Sequence, residues 1–219
     1  LDDADLRILD ATWYMPGVER DPREEFLAGH VPGARLFDID VVADHASALP
    51  HMLPPEADFD AAMDALGIGA DTPVVVYDSH GLMSAPRAWW MLRVFGHNAV
   101  SVLDGGLPAW RAAGLPLETG EPRPAPAPGR PFRGRRNAAL VRTLAEVRGN
   151  IDSRREQLVD ARAAGRFAGA DPEPRPGLRS GHVPGARNLP FSRLVDADTG
   201  TLQPPAQLRA AFEAAGVDT

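Results

Sequence analysis

The sequence predicts an α/β protein built from parallel sheets flanked by helices and arranged as two copies of one domain. Short apolar segments rich in β-branched residues alternate with amphipathic segments of helical length, which is typical of a parallel sheet covered on both faces. In addition, the heptapeptide GHVPGAR occurs twice, at 29–35 and 181–187. Seven identical residues in the same order indicate a duplicated domain.

The first copy is predicted to contain four strands and four helices in alternation. The strands are expected at 7–10, 35–38, 74–77 and 100–103, and the helices near 22–28 and at 59–66, 84–95 and 108–113. Ligands of such sheets bind beyond the carboxyl ends of the strands. The loop that follows the third strand and begins at Asp78 is therefore a candidate site.

The similarity between the copies extends beyond the heptapeptide. RILDA at 7–11 resembles QLVDA at 157–161, and FDAAMDALGI at 59–68 resembles LRAAFEAAGV at 208–217. A proline-rich stretch lies between the copies, and prolines favour an extended, semi-rigid chain. The predicted division is an N-terminal domain at 1–117, a linker at 118–139 and the start of a second domain at 140–219.

Composition and charge narrow the classes of function. The 219 residues carry a formal net charge of −7, which gives no electrostatic footprint for nucleic acid. No apolar run approaches the roughly 18 residues of a membrane span, and no secretory signal is visible at the start, so the cytoplasm is the expected compartment. The sequence contains no Cys, which excludes disulfides and thiolate metal sites within these residues.

The stretch VVVYDSHGLMSAP at 74–86 predicts a strand, a short polar loop and the N-terminus of a helix. Unpaired backbone N–H groups in such a loop form a cradle for an anion. Enzymes that use this cradle place a nucleophile at its first position. Here that position holds Asp78, whose carboxylate is expected to repel an anion.

The motifs together resemble the two-domain sulfurtransferases of the rhodanese superfamily. The resemblance rests on both copies of GHVPGAR and on the segments FDID at 37–40, VLDGGLPAW at 102–110 and VDARAAGRFAG at 159–169. It implies a parallel five-stranded sheet in each domain and a catalytic Cys in the second domain alone. Asp78 then marks the inactive copy, and the nucleophile is expected near position 227, so that the second domain is incomplete at Thr219.

The resemblance also implies an activity: transfer of sulfane sulfur from 3-mercaptopyruvate, through a Cys persulfide, to a thiol or another acceptor. The acceptor is expected to be a small thiol or a thioredoxin-like protein, and neither a cofactor nor a metal is implied. Asp40 and His51 match a proton relay of the mercaptopyruvate enzymes and should lie within hydrogen-bonding reach. Arg166 and Arg175 match their substrate-binding arginines and should face a cleft between the domains.

The chemistry of these residue types suits the predicted roles. A guanidinium can bind the planar carboxylate of mercaptopyruvate with two hydrogen bonds. Loss of sulfur leaves an enolate that needs a proton, and His is suited to deliver it. A carboxylate that binds one nitrogen of the His ring would fix its tautomer.

Several alternatives stay open at this point. The chain could be a thiosulfate sulfurtransferase, or a non-catalytic rhodanese-like binding module if no Cys follows. Arg166 and Arg175 could instead form ion pairs with Asp171 or Glu173. Ser79 and His80 could form a nucleophile–base pair, although adjacent residues rarely reach that geometry. The two His residues of the repeated heptapeptide, His30 and His182, are expected to be architectural.

Overall fold

The structure is a computed structural model that describes residues 5–218. The described chain divides into two compact units. The first contains residues 5–14 and 18–141, and the second contains residues 15–17 and 142–218. No helix in residues 5–218 is both long enough and apolar enough to cross a membrane.

The first unit is a parallel sheet with helices between its strands, which confirms the predicted fold class. The strands lie in the order β2-β1-β3-β4, and neighbours are parallel throughout. Strands and helices alternate along the chain as β1 (Arg7–Asp10), α1 (Pro22–Ala28), β2 (Ala34–Leu36), α2 (Glu56–Ala65), β3 (Val74–Tyr77), α3 (Ala85–Val94), β4 (Val100–Val102) and α4 (Gly106–Ala112).

Local chemistry explains where two of these helices begin. Asp21 caps α1, since its side chain accepts hydrogen bonds from the backbone N–H groups of Arg23 and Glu24, which have no partner inside the helix. Helix α2 begins at Glu56, three residues before the predicted start. Pro55 precedes it, and acidic side chains in its first turn favour the N-terminal end of the helix dipole.

The sheet of the first unit has four strands in residues 5–141, so the five strands implied by the resemblance are wrong in number. The chain after α4 approaches His30 in extended form, but only Glu118 pairs with it, as a single antiparallel bridge with two backbone hydrogen bonds of 2.9 Å. Pro116 and Pro122 flank this bridge. Proline lacks the N–H that a longer ladder needs.

The core lies on both faces of this sheet. Successive residues of a strand point to opposite faces, and in β1 Leu9 joins one apolar cluster while Ile8 joins the other. The larger cluster is built around aromatic and sulfur-containing side chains from α2, α3 and their connections, namely Phe37, Phe59, Met63, Met91 and Phe95. The smaller one contains Phe26, Val31, Tyr77 and Leu107.

The proline-rich segment 118–139, predicted as a linker, packs along the first unit. Phe132 is buried in the larger cluster, and its backbone N–H donates to Oδ1 of Asp64 at 3.0 Å. The backbone N–H of Gly134 donates to Oδ1 of Asp60 at 2.7 Å. Carboxylates on α2 therefore hold the backbone of this segment against the unit.

The second unit begins with the same kinds of element as the first. Its helices are α5 (Leu144–Ser153), α6 (Ala164–Ala168) and α7 (Pro205–Ala214), and its strands are β5 (Val159–Asp160) and β6 (Arg187–Asn188). The two strands are parallel. They correspond to β1 and β2 of the first unit, as the sequence repeat predicts.

The repeated heptapeptide makes the same contact in both units. The ring of His30 stacks on Phe26 with centroids 3.9 Å apart, and the ring of His182 stacks on Phe167 at 3.7 Å. In each pair Nδ1 of the His lies within hydrogen-bonding distance of the Phe carbonyl oxygen. This shared contact supports the predicted architectural role. The partners are 4 residues apart in the first copy and 15 in the second, and the longer connection carries Glu173.

Candidate functional site

The loop after β3 wraps around its own carboxylate. Asp78 is fully buried, and its Oδ1 accepts a hydrogen bond from the backbone N–H of His80 at 2.9 Å. Its Oδ2 accepts three more, from the N–H groups of Met83, Ser84 and Ala85 at 2.8–2.9 Å. The predicted cradle exists, but Asp78 occupies it. Repulsion of an external anion is therefore only part of its effect.

Ser79 and His80 do not form a nucleophile–base pair. Oγ of Ser79 lies 2.8 Å from the hydroxyl oxygen of Tyr14, which donates in turn to Glu25. The His80 ring packs against the Tyr14 ring with centroids 4.9 Å apart, and burial lowers the pKa of His80. In residues 5–218 the structure records no hydrogen bond between the two side chains, so this alternative has no geometric support.

Asp40 and His51 lie together in the connection between β2 and α2. Nδ1 of His51 is 3.3 Å from Oδ1 of Asp40, so the two side chains lie within the predicted reach, but this approach does not have hydrogen-bond geometry. Trp13 completes the group: its Nε1 donates to Oδ2 of Asp40 at 2.9 Å, and its ring meets the His51 ring edge-on at 5.1 Å. A hydrogen bond from Nδ1 to this carboxylate would leave Nε2 for other chemistry. The relay role of the pair stays a prediction.

Two residues of this site escaped the sequence analysis. Trp13 follows β1 by three positions, and the signal that could have found it is its place at the carboxyl end of a central strand. Arg87 is the third residue of α3, and its Nη2 donates to the backbone carbonyl of His51. No sequence pattern connects Arg87 with a loop that precedes it by 36 residues.

In the second unit, Arg166 belongs to a chain of charged side chains. Its Nη2 lies 2.5 Å from Oε2 of Glu173, whose Oε1 lies 2.7 Å from Nη1 of Arg162. Arg162 also pairs with Asp160, at 2.5 Å between Nη2 and Oδ2. The Glu173 side chain is 4% exposed, and its pKa is lowered by Arg166 first and Arg162 second. The alternative that Arg166 pairs with Glu173 is therefore confirmed as geometry.

This ion pair leaves donors of Arg166 for a ligand. Its Nε is buried, and in residues 5–218 no acceptor is recorded for it. Arg175 lies nine positions later, half-buried in the connection between α6 and β6. The structure places both arginines in the second unit. Their convergence on a cleft between the domains stays a prediction.

The turn after the first strand differs between the copies. In the first unit Asp10 accepts hydrogen bonds from the backbone N–H and the hydroxyl of Thr12, and burial raises the pKa of Asp10. In the second unit Asp160 has Arg162 as its partner, which lowers the pKa of Asp160. The sequence analysis missed Arg162. The signal that could have found it is the difference between LDAT at 9–12 and VDAR at 159–162. The sequence indicates Glu173 only as an alternative ion-pair partner of the two predicted substrate-binding arginines.

Comparison with known proteins agrees with this geometry. The family model described as "Rhodanese-like domain" matches residues 1–113. The chain is 47% identical to the 3-mercaptopyruvate sulfurtransferase of Homo sapiens and 49% identical to the thiosulfate sulfurtransferase of Bos taurus, in each case over 97% of this chain and 71% of the relative. The crystal structure of SseA from Escherichia coli, a 3-mercaptopyruvate sulfotransferase, superimposes with a TM-score of 0.88 at 42% identity, over 99% of this chain and 80% of that one.

Proposed function

This chain belongs to the rhodanese-like family. On that premise we propose that the protein is a sulfurtransferase whose sulfur donor is 3-mercaptopyruvate. Overall identity does not choose the donor, because the human mercaptopyruvate enzyme and the bovine thiosulfate enzyme are about equally similar. The observation that favours mercaptopyruvate as the donor is the 3.3 Å distance between Oδ1 of Asp40 and Nδ1 of His51.

In the proposed reaction a Cys thiolate attacks the sulfur of the donor. An S–S bond forms and the C–S bond breaks, so that its electron pair stays on the carbon as the enolate of pyruvate. The enolate takes up a proton to give pyruvate, and the Cys is left as a persulfide. The sequence contains no Cys, so the proposal assigns the nucleophile to a position beyond Thr219.

The need for a proton distinguishes the two donors. When mercaptopyruvate gives up its sulfur, the leaving group is the enolate of pyruvate, which must be protonated. When thiosulfate gives up its sulfur, the leaving group is sulfite, a stable anion that needs no proton. An imidazole oriented by a carboxylate is suited to hold and move that proton. The Asp40–His51 pair would therefore serve the mercaptopyruvate reaction and have no task in the thiosulfate reaction.

The second unit supplies the proposed anchor for the donor. Mercaptopyruvate has a carboxylate next to a carbonyl, and Arg166 and Arg175 would bind these two groups. Glu173 holds Nη2 of Arg166, while the buried Nε of the same guanidinium has no recorded acceptor in residues 5–218. A planar guanidinium binds a carboxylate in a defined direction, which Lys cannot do.

The persulfide would pass its outer sulfur to a thiol. We propose a small thiol or a thioredoxin-like protein as the acceptor. The second candidate is a thiosulfate sulfurtransferase, which the bovine relative favours. The third is a binding module, which follows if the full-length protein has no Cys.

The test is a direct comparison of donors with the full-length protein that carries these 219 residues. Pyruvate release from 3-mercaptopyruvate and sulfite release from thiosulfate are measured with the same thiol acceptor, and the persulfide is detected by intact mass. The proposal predicts a higher kcat/KM for mercaptopyruvate. A higher value for thiosulfate would support the second candidate, and no transfer from either donor would support the third.

A further inference from the structure

The backbone of His51 has an unusual conformation for a side-chain-bearing residue. Its φ is +55°, in the left-handed region, and in residues 5–218 only Arg154 shares a positive φ among residues other than glycine. Such a conformation is strained for a residue that carries a Cβ. It persists where neighbouring contacts hold the backbone in place.

Arg87 supplies a contact of that kind. Its Nη2 donates to the carbonyl oxygen of His51, and its guanidinium carbon lies 4.7 Å from the centroid of the Trp90 ring. Burial lowers the pKa of Arg87, and the structure records no ion pair for it in residues 5–218. Arg87 is thus a half-buried cation whose recorded hydrogen bond goes to the backbone of His51.

The helix that carries Arg87 is fixed at its start. The Asp78 carboxylate accepts the N–H of Ala85, the first residue of α3, at 2.8 Å. Arg87 follows two positions later. A continuous set of contacts therefore runs from the end of β3, through the Asp78 loop and the first turn of α3, to the backbone of His51.

We propose that Arg87 is a positioning residue for His51: it holds the loop so that the imidazole meets Asp40 and Trp13. The inference rests on the proposed function, in which His51 moves a proton. It also assigns a structural function to the loop that begins at Asp78. The Asp78 carboxylate binds the N–H groups of this loop and of Ala85, and so fixes the start of α3, which carries Arg87.

The first test reads the position of His51 without any activity. The ring protons of His51 lie near the face or edge of Trp13, so their NMR resonances carry a ring-current shift from that indole. The resonances are assigned in the full-length protein with His51→Ala, and the Trp13 contribution is measured with Trp13→Phe. Arg87→Met is expected to lose most of this shift while the protein stays folded.

Arg93 provides a matched control. It lies on the same helix and its guanidinium packs over Trp89, at 5.2 Å from the ring centroid, but it has no recorded contact with His51. Arg93→Met should leave the His51 resonances unchanged. Arg87→Gln, which keeps a polar group but is too short to reach the carbonyl, serves where Arg87→Met fails to fold. Unchanged His51 resonances in a folded Arg87 variant would overturn the inference.

The second test separates positioning from binding. A displaced relay should lower kcat for mercaptopyruvate about tenfold, with KM changed less than about twofold, and Arg93→Met should match the wild type. Where His51→Ala lowers kcat, an unchanged kcat in an Arg87 variant that has lost the ring-current shift would contradict the inference. Normal turnover in His51→Ala would instead refute the relay of the proposed function, and the NMR result would still decide whether Arg87 positions His51.

Discussion

The carboxylate of Asp78 accepts a hydrogen bond of 2.8 Å from the backbone N–H of Ala85, the first residue of α3. Three further N–H groups of the loop bind the same carboxylate. The first unit therefore forms the cradle of backbone N–H groups that the sequence predicts and fills it with a side chain of its own. The carboxylate at this position therefore has a structural role, because it holds the loop and the start of α3 together.

Asp78→Asn is expected to destabilise the protein, because an amide offers one acceptor oxygen where the carboxylate offers two and places an N–H against backbone donors. The free energy of unfolding should fall by about 2–4 kcal/mol. Asp58→Asn is the matched control, since Asp58 is an exposed carboxylate in the first turn of α2, and it should cost less than about 0.5 kcal/mol. Equal losses in urea unfolding would contradict this account.

Asp10 should give the protein a measurable dependence of stability on pH. Burial raises the pKa of Asp10, and the nearby Asp78 carboxylate adds to the effect. The folded state then keeps a proton that the unfolded chain releases near pH ~3.9. The stabilisation is complete below that pH and is lost as the pH rises through the raised pKa.

Asp10→Asn removes this titration while its amide oxygen can still accept the hydrogen bonds of Thr12. The decline in the free energy of unfolding from about pH 4 upward should become shallower than in the wild type. Urea unfolding at a series of pH values measures the slope, and Asp58→Asn should keep the wild-type slope. A steeper decline in Asp10→Asn would show that the sign is wrong.

Glu173→Gln should weaken binding of the donor. Loss of the carboxylate removes the ion pairs with Arg166 and Arg162, so the Arg166 guanidinium is no longer held in one direction. KM for mercaptopyruvate should rise about tenfold with a smaller change in kcat. Glu156→Gln breaks an exposed ion pair with Arg142 in the same unit and should leave KM unchanged. A lower KM in Glu173→Gln would mean that Glu173 competes with the donor.

Arg166→Lys tests the direction of the guanidinium. Lys keeps the charge but cannot present two parallel N–H groups to a carboxylate. KM for mercaptopyruvate should rise at least about tenfold, whereas the exposed Arg142→Lys should have no effect. Kinetics of the full-length protein measure both variants, and a wild-type KM in Arg166→Lys would remove Arg166 from the site.

The sequence predicts those parts of the fold that depend on local pattern. Strand β3 has the predicted bounds, because VVVY is apolar and β-branched between turn residues. Asp40 and His51 meet as predicted, because both belong to one short connection. The predicted number of strands was wrong. A fifth strand requires the chain near Pro116 and Pro122 to pair with the residues around His30, and only a single bridge forms there.

Contacts that depend on the direction in which a side chain points could not be predicted from the sequence. A carboxylate at the first position of an anion loop either points away or turns into it, and only the structure shows that Asp78 turns in. The Glu173 carboxylate reaches Arg162 and Arg166 because the longer connection of the second copy folds back onto α6. No residue pattern specifies that path.

In the proposed reaction the Asp40–His51 pair moves a proton when the donor is mercaptopyruvate and has no role when the donor is thiosulfate. The most direct measurement is kcat of wild type and His51→Ala with both donors in the full-length protein. We expect His51→Ala to lower kcat about 100-fold or more with mercaptopyruvate and to leave kcat unchanged with thiosulfate. Equal losses with both donors, or no loss with mercaptopyruvate, would contradict it.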